Sequence, residues 1–388
     1  MSDPQERRKV LQIPPQLYNK LTEWYHAPTV PKNSDTAREW KKMLSTQKFK
    51  DIVLDNTSGN LIGLLRALCL NGASKSVKSF SITIKAPSRH EGHSQTSGQE
   101  GHHQRDTFGY LPILLAEVIC QITNLQAISL DLGLLTVEDG QKFHDIIMSN
   151  LPHIVWPKMH SIRIRGPSML AACIIYHCDR SKLKALNLNG WTESHDFKCA
   201  ESANNLERLR LYYDKDHLSN PAAGALDFPS THYQTWRSLR KLKTASLHWL
   251  VLQEEDCNES NEFPPLEDIY KLKRIFDEVL FSVRVLTPKR LAFYFDYRRF
   301  SPKVIRTDSG MLNPTSGPLE SHEIKKWHEI HINNYLMEFW KPQEVWIFTN
   351  SSLAFVGTRN SDKTVTVECR KFDGETNQRS FPWGLLDE

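Results

Sequence analysis

The sequence of 388 residues lacks any long hydrophobic run. A membrane helix needs about 18 consecutive apolar residues. The best candidate, residues 111–120, is shorter and contains Glu117. The charged N-terminal residues are not followed by the apolar core of a secretory signal. We therefore expect no membrane association.

Cysteine and net charge are also scarce. The seven cysteines are an odd number scattered along the chain, which suits reduced thiols and a cytoplasmic or nuclear location. The 49 basic residues nearly balance the 45 acidic ones, and a formal charge of +4 is too small to indicate nucleic-acid binding. With 39% hydrophobic residues, the composition excludes collagen-like structure and wholesale disorder.

The motifs of common enzyme classes are absent as well. The sequence contains no Gly-x-Ser-x-Gly elbow and no glycine-rich phosphate loop. The adjacent carboxylates Glu254, Glu255 and Asp256 lie in a polar stretch, where they repel one another and stay solvated. We predict a non-enzymatic protein without a cofactor, and the less favoured alternative is a hydrolase or transferase on an α/β sheet.

Two groups of residues could suggest a metal site. His90, His93, His102 and His103 lie in the polar segment 86–107, which has no cysteine and no apolar framework to preorganise ligands. Cys173, His177 and Cys178 fall on an apolar helical stretch, which is more typical of buried thiols. We predict that the segment is a flexible insertion and that neither group holds a metal.

What the sequence does contain is a recurring pattern, apolar-x-x-apolar-x-apolar. Its copies begin at Phe49, Val77, Leu125, Met159, Leu183, Leu206, Leu242, Pro288 and Pro342. Several copies are followed by an apolar stripe at helical spacing. Strands that alternate with helices predict parallel strands joined by helical crossovers.

The pattern resembles that of irregular leucine-rich-repeat proteins, in particular the large fungal group that carries an F-box ahead of the repeats. The two clearest copies, Leu183 and Leu206, are 23 residues apart, within the 20–29 residues of such repeats. Thr57, Trp191 and Asp214 stand where these repeats usually have Asn or Cys. The resemblance implies an α/β, leucine-rich-repeat-like solenoid in an irregular arc. An ordinary doubly wound α/β domain is the alternative.

The sequence pattern predicts that the chain consists of three parts. Residues 1–48 form a helical N-terminal segment, and residues 49–341 form the solenoid with the insertion 86–107. Residues 342–388 contain three alternating or apolar runs, which predict a β-rich C-terminal cap.

The N-terminal segment resembles an F-box in its opening and in a later tryptophan, although Gln16 stands where that family has Glu. The resemblance implies that the segment docks on a ligase adaptor protein through Ile13, Pro14, Leu17, Leu21 and Trp40. The chain would then be the substrate-recognition subunit of a cullin–RING ubiquitin ligase. Two alternatives stay open: the segment is a cap over the first repeat, and the chain is a stand-alone scaffold.

The strand pattern also predicts a binding face. If positions 1, 4 and 6 of each copy point to the core, positions 3, 5 and 7 point outward together. Arg and Tyr anchor protein interfaces, and Arg grips carboxylate or phosphate groups with two hydrogen bonds. We predict that an acidic or phosphorylated protein substrate binds there, although a merely solvated face would carry the same residues. The candidate residues are Arg163, Arg165, Arg208, Arg210, Tyr212, His248, Arg290 and Tyr294.

Overall fold

The computed structural model divides the chain into two compact units, Met1–Leu183 and Lys184–Glu388. The residues that it describes are 10–25, 33–46, 49–71, 77–85, 109–167, 169–189, 201, 203–213, 247–254, 286–294, 321–339, 341–350, 353–371 and 381. None of the helices in these ranges has the length and apolar content needed to cross a lipid bilayer.

The first unit alternates strands and helices. Its elements are α1 Pro15–Thr22, α2 Asp35–Thr46, β1 Asp51–Thr57, α3 Ser58–Asn71, β2 Ser79–Lys85, α4 Leu111–Gln121, β3 Ala127–Asp131, α5 Val137–Asn150, β4 Ser161–Arg165 and α6 Leu170–Tyr176. The four strands pair in parallel and in chain order. Consecutive helices from α3 to α6 pack against one another.

The pairing aligns the same position of every copy. Ile52, Phe80, Ile128 and Ile162 are partners across the four strands, and all four are buried. Alternate side chains of a strand point to opposite faces, so this register places one apolar row under the helices. Helix α5 has a clear start signal in the sequence. Thr136 and the first-turn residue Asp139 form a reciprocal capping box at the start of α5.

The two N-terminal helices pack on α3. Leu17 is 1% exposed and Leu21 is fully buried. The indole Nε1 of Trp40, also fully buried, donates a hydrogen bond of 2.8 Å to the carbonyl oxygen of Ala67 in α3. The approach is close, because a Cβ atom at Gly63 would lie 2.4 Å from the Leu21 carbonyl oxygen. These contacts pack the N-terminal helices on the helix that follows β1.

The second unit has seven strands and one helix among the described residues. They are β5 Ala185–Asn189, β6 Arg208–Tyr213, β7 Trp249–Glu254, β8 Arg290–Tyr294, α7 Ser321–Glu338, β9 Glu344–Asn350, β10 Leu353–Arg359 and β11 Val365–Lys371. Strands β5 to β9 are parallel and follow chain order. Strands β9, β10 and β11 form an antiparallel meander, within the segment where the sequence predicts β structure.

Helix α7 lies against this meander. A Cβ atom at Gly357 of β10 would lie only 2.1 Å from Cγ2 of Ile332 in α7. Ile332 and Leu336 are fully buried. The glycine is therefore required by the close approach of helix and strand.

One predicted copy of the repeat is wrong. The sequence pattern starts it at Leu242, whereas the structure starts it at Leu247, with Leu250 and Leu252 paired to Leu209 and Leu211. The pattern failed because Leu242, Ala245 and Leu247 satisfy the same spacing five residues earlier. Residue 247 is shared by both alignments, so spacing alone could not decide between them.

The predicted alternation of parallel strands and helices is confirmed in the first unit. In the second unit, strands β5 to β9 are parallel as predicted, and the helix that the structure describes there, α7, lies between β8 and β9 in the chain. The insertion 86–107, with its four histidines, lies outside the described residues. The carboxylates Glu255 and Asp256 lie outside them as well.

Replacing Leu17 and Leu21 together by Ala should lower the free energy of unfolding of the first unit. Each side chain fills a buried site, and each truncation should cost about 2–5 kcal/mol. Urea unfolding followed by circular dichroism measures the loss, and Gln16→Ala, an exposed position on the same helix, is the control. A double variant as stable as the wild type would show that the contact of α1 with α3 contributes nothing.

Candidate functional site

The sheet face of the first unit opposite the helices carries small and charged side chains. One row across the strands is formed by Val53, Ser81, Ser129 and Arg163, which are register partners. Val53 is 52% exposed, and the other three are partly exposed. This face is therefore accessible in part, and its residues alternate with the buried apolar row.

A second row on this face consists of Asp55, Thr83, Asp131 and Arg165. Nη1 of Arg165 lies 4.0 Å from Oδ2 of Asp131, and Nζ of Lys85 lies 2.8 Å from Oδ2 of Asp55. Both ion pairs are partly exposed, so each contributes little to stability. The charge of Arg165 is partly neutralised by Asp131.

Arg163 differs from Arg165 in its surroundings. It forms no ion pair with the residues that the structure describes. Its side chain is partly exposed, and the row that it ends contains no carboxylate. Of the two predicted arginines in the first unit, Arg163 is therefore better placed to contact a partner.

The corresponding face of the second unit carries a row of stacked aromatic and charged groups. Arg208, Trp249, Arg290 and Glu344 are register partners on β6 to β9. Cζ of Arg208 lies 4.4 Å from the centroid of the Trp249 ring, and Cζ of Arg290 lies 5.9 Å from it. Such cation–π contacts attract guanidinium groups to the ring electrostatically.

Arg290 also forms an ion pair at the end of this row. Its Nε lies 3.0 Å from Oε2 of Glu344. The other carboxylate oxygen of Glu344 accepts a hydrogen bond of 2.8 Å from Nε1 of Trp346. Arg208 and Arg290 are thus brought together as predicted, but by contacts within the chain.

The next row of the second unit is buried. Arg210 is 7% exposed and pairs in register with Asn187 and Val251, which are also buried. Burial of a charged side chain carries a desolvation cost, and Arg210 offers little surface to solvent. The prediction that Arg210 contacts a partner is not supported by this placement.

An aromatic cluster includes Val251 of this row and buries it. Its members are Trp249, Val251, Ala292, Trp346, Phe348, Ala354, Val356 and Phe381. The ring of Phe381 lies 5.3 Å from that of Trp249 and 5.8 Å from that of Trp346, both in edge-on geometry. Phe381 is 4% exposed. The face that the sequence predicts as solvent-exposed therefore holds a second core in this unit.

Three further predicted residues have different placements. His248 immediately precedes β7 instead of lying on the outward face, because this copy of the repeat starts at Leu247. Tyr212 pairs with Gln253 and Tyr294 pairs with Phe348 in the backbone register. The side chains of both tyrosines lie outside what the structure describes.

The adaptor-docking residues also divide into two groups. Leu17, Leu21 and Trp40 are buried against α3, whereas Pro14 is exposed and Ile13 is partly exposed. Only the last two keep surface that could contact another protein. The docking prediction for the three buried residues stays a prediction, and their contacts fit the cap alternative.

The thiols and histidine of α6 and its C-terminal end are structural. The Sγ atoms of Cys173 and Cys178 each lie 3.1 Å from a carbonyl oxygen of the preceding turn. Burial raises the pKa of Cys178 to about 12. Burial also lowers the pKa of His177, whose Nδ1 lies 2.7 Å from the carbonyl oxygen of Pro152. Within the described ranges, no three residues of metal-binding type are grouped together.

Sequence reasoning missed the aromatic cluster. Trp249 falls outside the copy that begins at Leu242, because that copy precedes the paired copy of β7 by five residues. Trp346 occupies an outward position of the copy that begins at Pro342, so the correct alternation would have shown it. Nothing in the local sequence indicates that Phe381 reaches these rings.

No protein-family model matches this chain, and no curated protein matches it.

Replacing Phe381 by Ala should destabilise the second unit by about 3–5 kcal/mol, the usual cost of removing a buried phenyl ring. The loss of edge-on contacts with Trp249 and Trp346 should also change the tryptophan fluorescence. Urea unfolding and emission spectra measure the two effects. Phe381→Leu, which keeps most of the apolar volume, should retain most of the stability. An unchanged unfolding curve for the alanine variant would mean that this contact is dispensable.

Proposed function

We propose that this chain is a non-enzymatic protein-interaction protein, built as an irregular leucine-rich-repeat-like solenoid. The supporting observation is the register of its parallel strands. In each unit these strands follow chain order, and each copy of the pattern places its apolar positions beside those of the next. Repeat folds of this kind present extended binding surfaces.

The strand order also distinguishes the proposal from a doubly wound domain. A doubly wound sheet reverses its strand order at a switch point, where its ligand binds. Neither β1 to β4 nor β5 to β9 contains a reversal. In the first unit, moreover, consecutive helices from α3 to α6 contact one another, as one layer would.

The accessible sheet face of the first unit is the proposed partner surface. It combines the exposed apolar side chain of Val53, the hydroxyl groups of Ser81 and Ser129, and the guanidinium of Arg163. Hydroxyl groups supply hydrogen bonds, and Arg163 supplies a positive charge suited to a carboxylate. We propose that an acidic segment of a partner protein contacts this face at Arg163.

Arg163→Glu should weaken the capture of partner proteins by the full chain, because it replaces an attractive charge by a repulsive one. The measurement is affinity capture from the source cell, followed by quantification of the recovered proteins across a salt series. Lys158→Glu makes the same change of charge at an exposed position away from the strands and is the control.

If Arg163→Glu and Lys158→Glu recover the same proteins with the same salt dependence, the proposed surface is wrong. If the wild-type chain enriches no protein over a blank resin, the interaction role itself fails. Near-UV circular dichroism of both variants verifies that the fold is kept.

The N-terminal segment supports a second candidate function, substrate recognition in a cullin–RING ubiquitin ligase. The observation in its favour is that Ile13 and Pro14, which open the F-box-like segment, keep exposed surface at the start of α1. Leu17 and Leu21 are committed to the contact with α3, so adaptor docking would have to use this start of the helix.

Ile13→Asp should abolish recovery of a ligase adaptor if the segment docks there, because a carboxylate would be placed in an apolar contact. Recovery is measured by immunoblot after capture of the full chain. Gln12→Asp, the exposed neighbouring residue, is the control. If neither the wild type nor Gln12→Asp recovers an adaptor, the chain is a stand-alone scaffold.

A further inference from the structure

A cleft of about 720 Å³ opens in the second unit at the amino-terminal ends of β7, β8 and β9. Its walls come from the residues that precede these strands and from the turn that follows β10. The lining residues that matter for its chemistry are His248, Lys289, Lys341, Arg359, Asn360 and Ser361. None of them belongs to the aromatic cluster or to the sheet face of the first unit.

The repeat itself builds this edge. His248, Lys289 and Gln343 each occupy the second position of their copy, directly before a strand. The backbone amide of Arg290 donates a hydrogen bond of 2.8 Å to the carbonyl oxygen of His248. The backbone amide of Gln343 donates one of 2.8 Å to the carbonyl oxygen of Lys289. The side chains of these second positions are therefore held side by side along one edge of the sheet.

The cleft is positively charged. Lys289, Arg290, Lys341 and Arg359 line it, and the only carboxylate among its lining residues is Glu344. The carboxylate of Glu344 already forms an ion pair with Nε of Arg290 at 3.0 Å and accepts a hydrogen bond of 2.8 Å from the indole of Trp346. The negative charge of Glu344 is thus offset by Arg290, and Lys289, Lys341 and Arg359 leave an excess of basic residues in the lining.

The basic groups are partly positioned by the surrounding structure. Nζ of Lys341 donates a hydrogen bond of 3.1 Å to the hydroxyl of Thr287, and Nη2 of Arg359 donates 2.6 Å to the carbonyl oxygen of Phe339. His248, Lys289 and the polar turn residues Asn360 and Ser361 are exposed.

We infer that this cleft binds the phosphoryl group of a phosphorylated peptide segment on a partner protein. The inference rests on the proposed interaction role and names the chemistry of one partner. A phosphate dianion offers three terminal oxygens, and ammonium, amide and hydroxyl donors can each satisfy one. Clusters of basic side chains are the usual means by which proteins recognise phosphorylated peptides.

The dimensions favour a peptide over a nucleic acid. A nucleic-acid site needs a basic stripe that follows several successive phosphates. Here the basic residues converge on a single cleft of about 720 Å³, which is enough for one phosphorylated side chain and its neighbours. The net charge of the whole chain, +4, is also low for a nucleic-acid-binding protein.

The test uses the full chain and two degenerate peptide libraries with a fixed central residue, phosphoserine in one and serine in the other. Binding is followed by fluorescence anisotropy. We expect the phosphoserine library to bind, with inorganic phosphate as a millimolar competitor. Lys289→Glu should weaken that binding at least about tenfold, because it reverses a charge in the wall. Lys326→Glu, an exposed lysine on α7, should leave it unchanged.

Three results would overturn the inference. They are equal binding of the two libraries, unchanged affinity of Lys289→Glu, and displacement of the phosphopeptides by single-stranded DNA or phosphoinositide vesicles at lower concentration than by inorganic phosphate. Partner capture by the wild-type chain distinguishes this failure from failure of the proposed function. If partner proteins are still captured after phosphatase treatment and by the Lys289→Glu variant, the interaction role is supported but this phosphate site is wrong.

Discussion

The in-register parallel pairing of the strands is the constraint on which the rest of the structure depends. A shift by one residue would move every apolar side chain of a strand to the opposite face. In the first unit, Ile52, Phe80, Ile128 and Ile162 occupy one continuous buried row, and the helices that follow the strands cover it. Because this row determines which face is covered, it also determines which side chains are left for the other face and for the strand ends.

The face of the sheet opposite the buried row differs between the two units, because different residues occupy its outward positions. In the first unit the outward positions carry hydroxyl groups and charges, so the face stays partly accessible. In the second unit the outward positions include Trp249 and Trp346, and these rings pack with Phe381. The arginines beside them then have an intramolecular use: Arg208 stacks on Trp249, and Arg290 pairs with Glu344. Arginine and aromatic residues on a strand therefore indicate an interface, but the interface can be one within the chain.

The sequence was sufficient to predict most strands and helices of the described ranges, because the 1-4-6 pattern, the alternating runs near the C-terminus and the helical stripes are local signals. It was not sufficient to place β7, since Leu242 and Leu247 both begin a valid copy of the pattern. Phe381 illustrates a different limit: its role depends on contact with Trp249 and Trp346, which are distant in sequence. Short-range periodicity identifies which residues share a face, whereas burial of that face depends on long-range contacts.

The amino-terminal ends of the strands form a further surface, distinct from the two faces of the sheet. Position 2 of each copy belongs to neither face, yet the repeat brings these positions together as regularly as it does the core. In the second unit they are Lys184, Glu207, His248, Lys289 and Gln343. Nζ of Lys184 and Oε1 of Glu207 are 3.0 Å apart and offset each other. At Lys289 the neighbouring second positions are His248 and Gln343, so no carboxylate at this position offsets the charge of Lys289 where the cleft opens. The charge of the edge thus follows from the repeat, once the copy at β7 is correctly aligned.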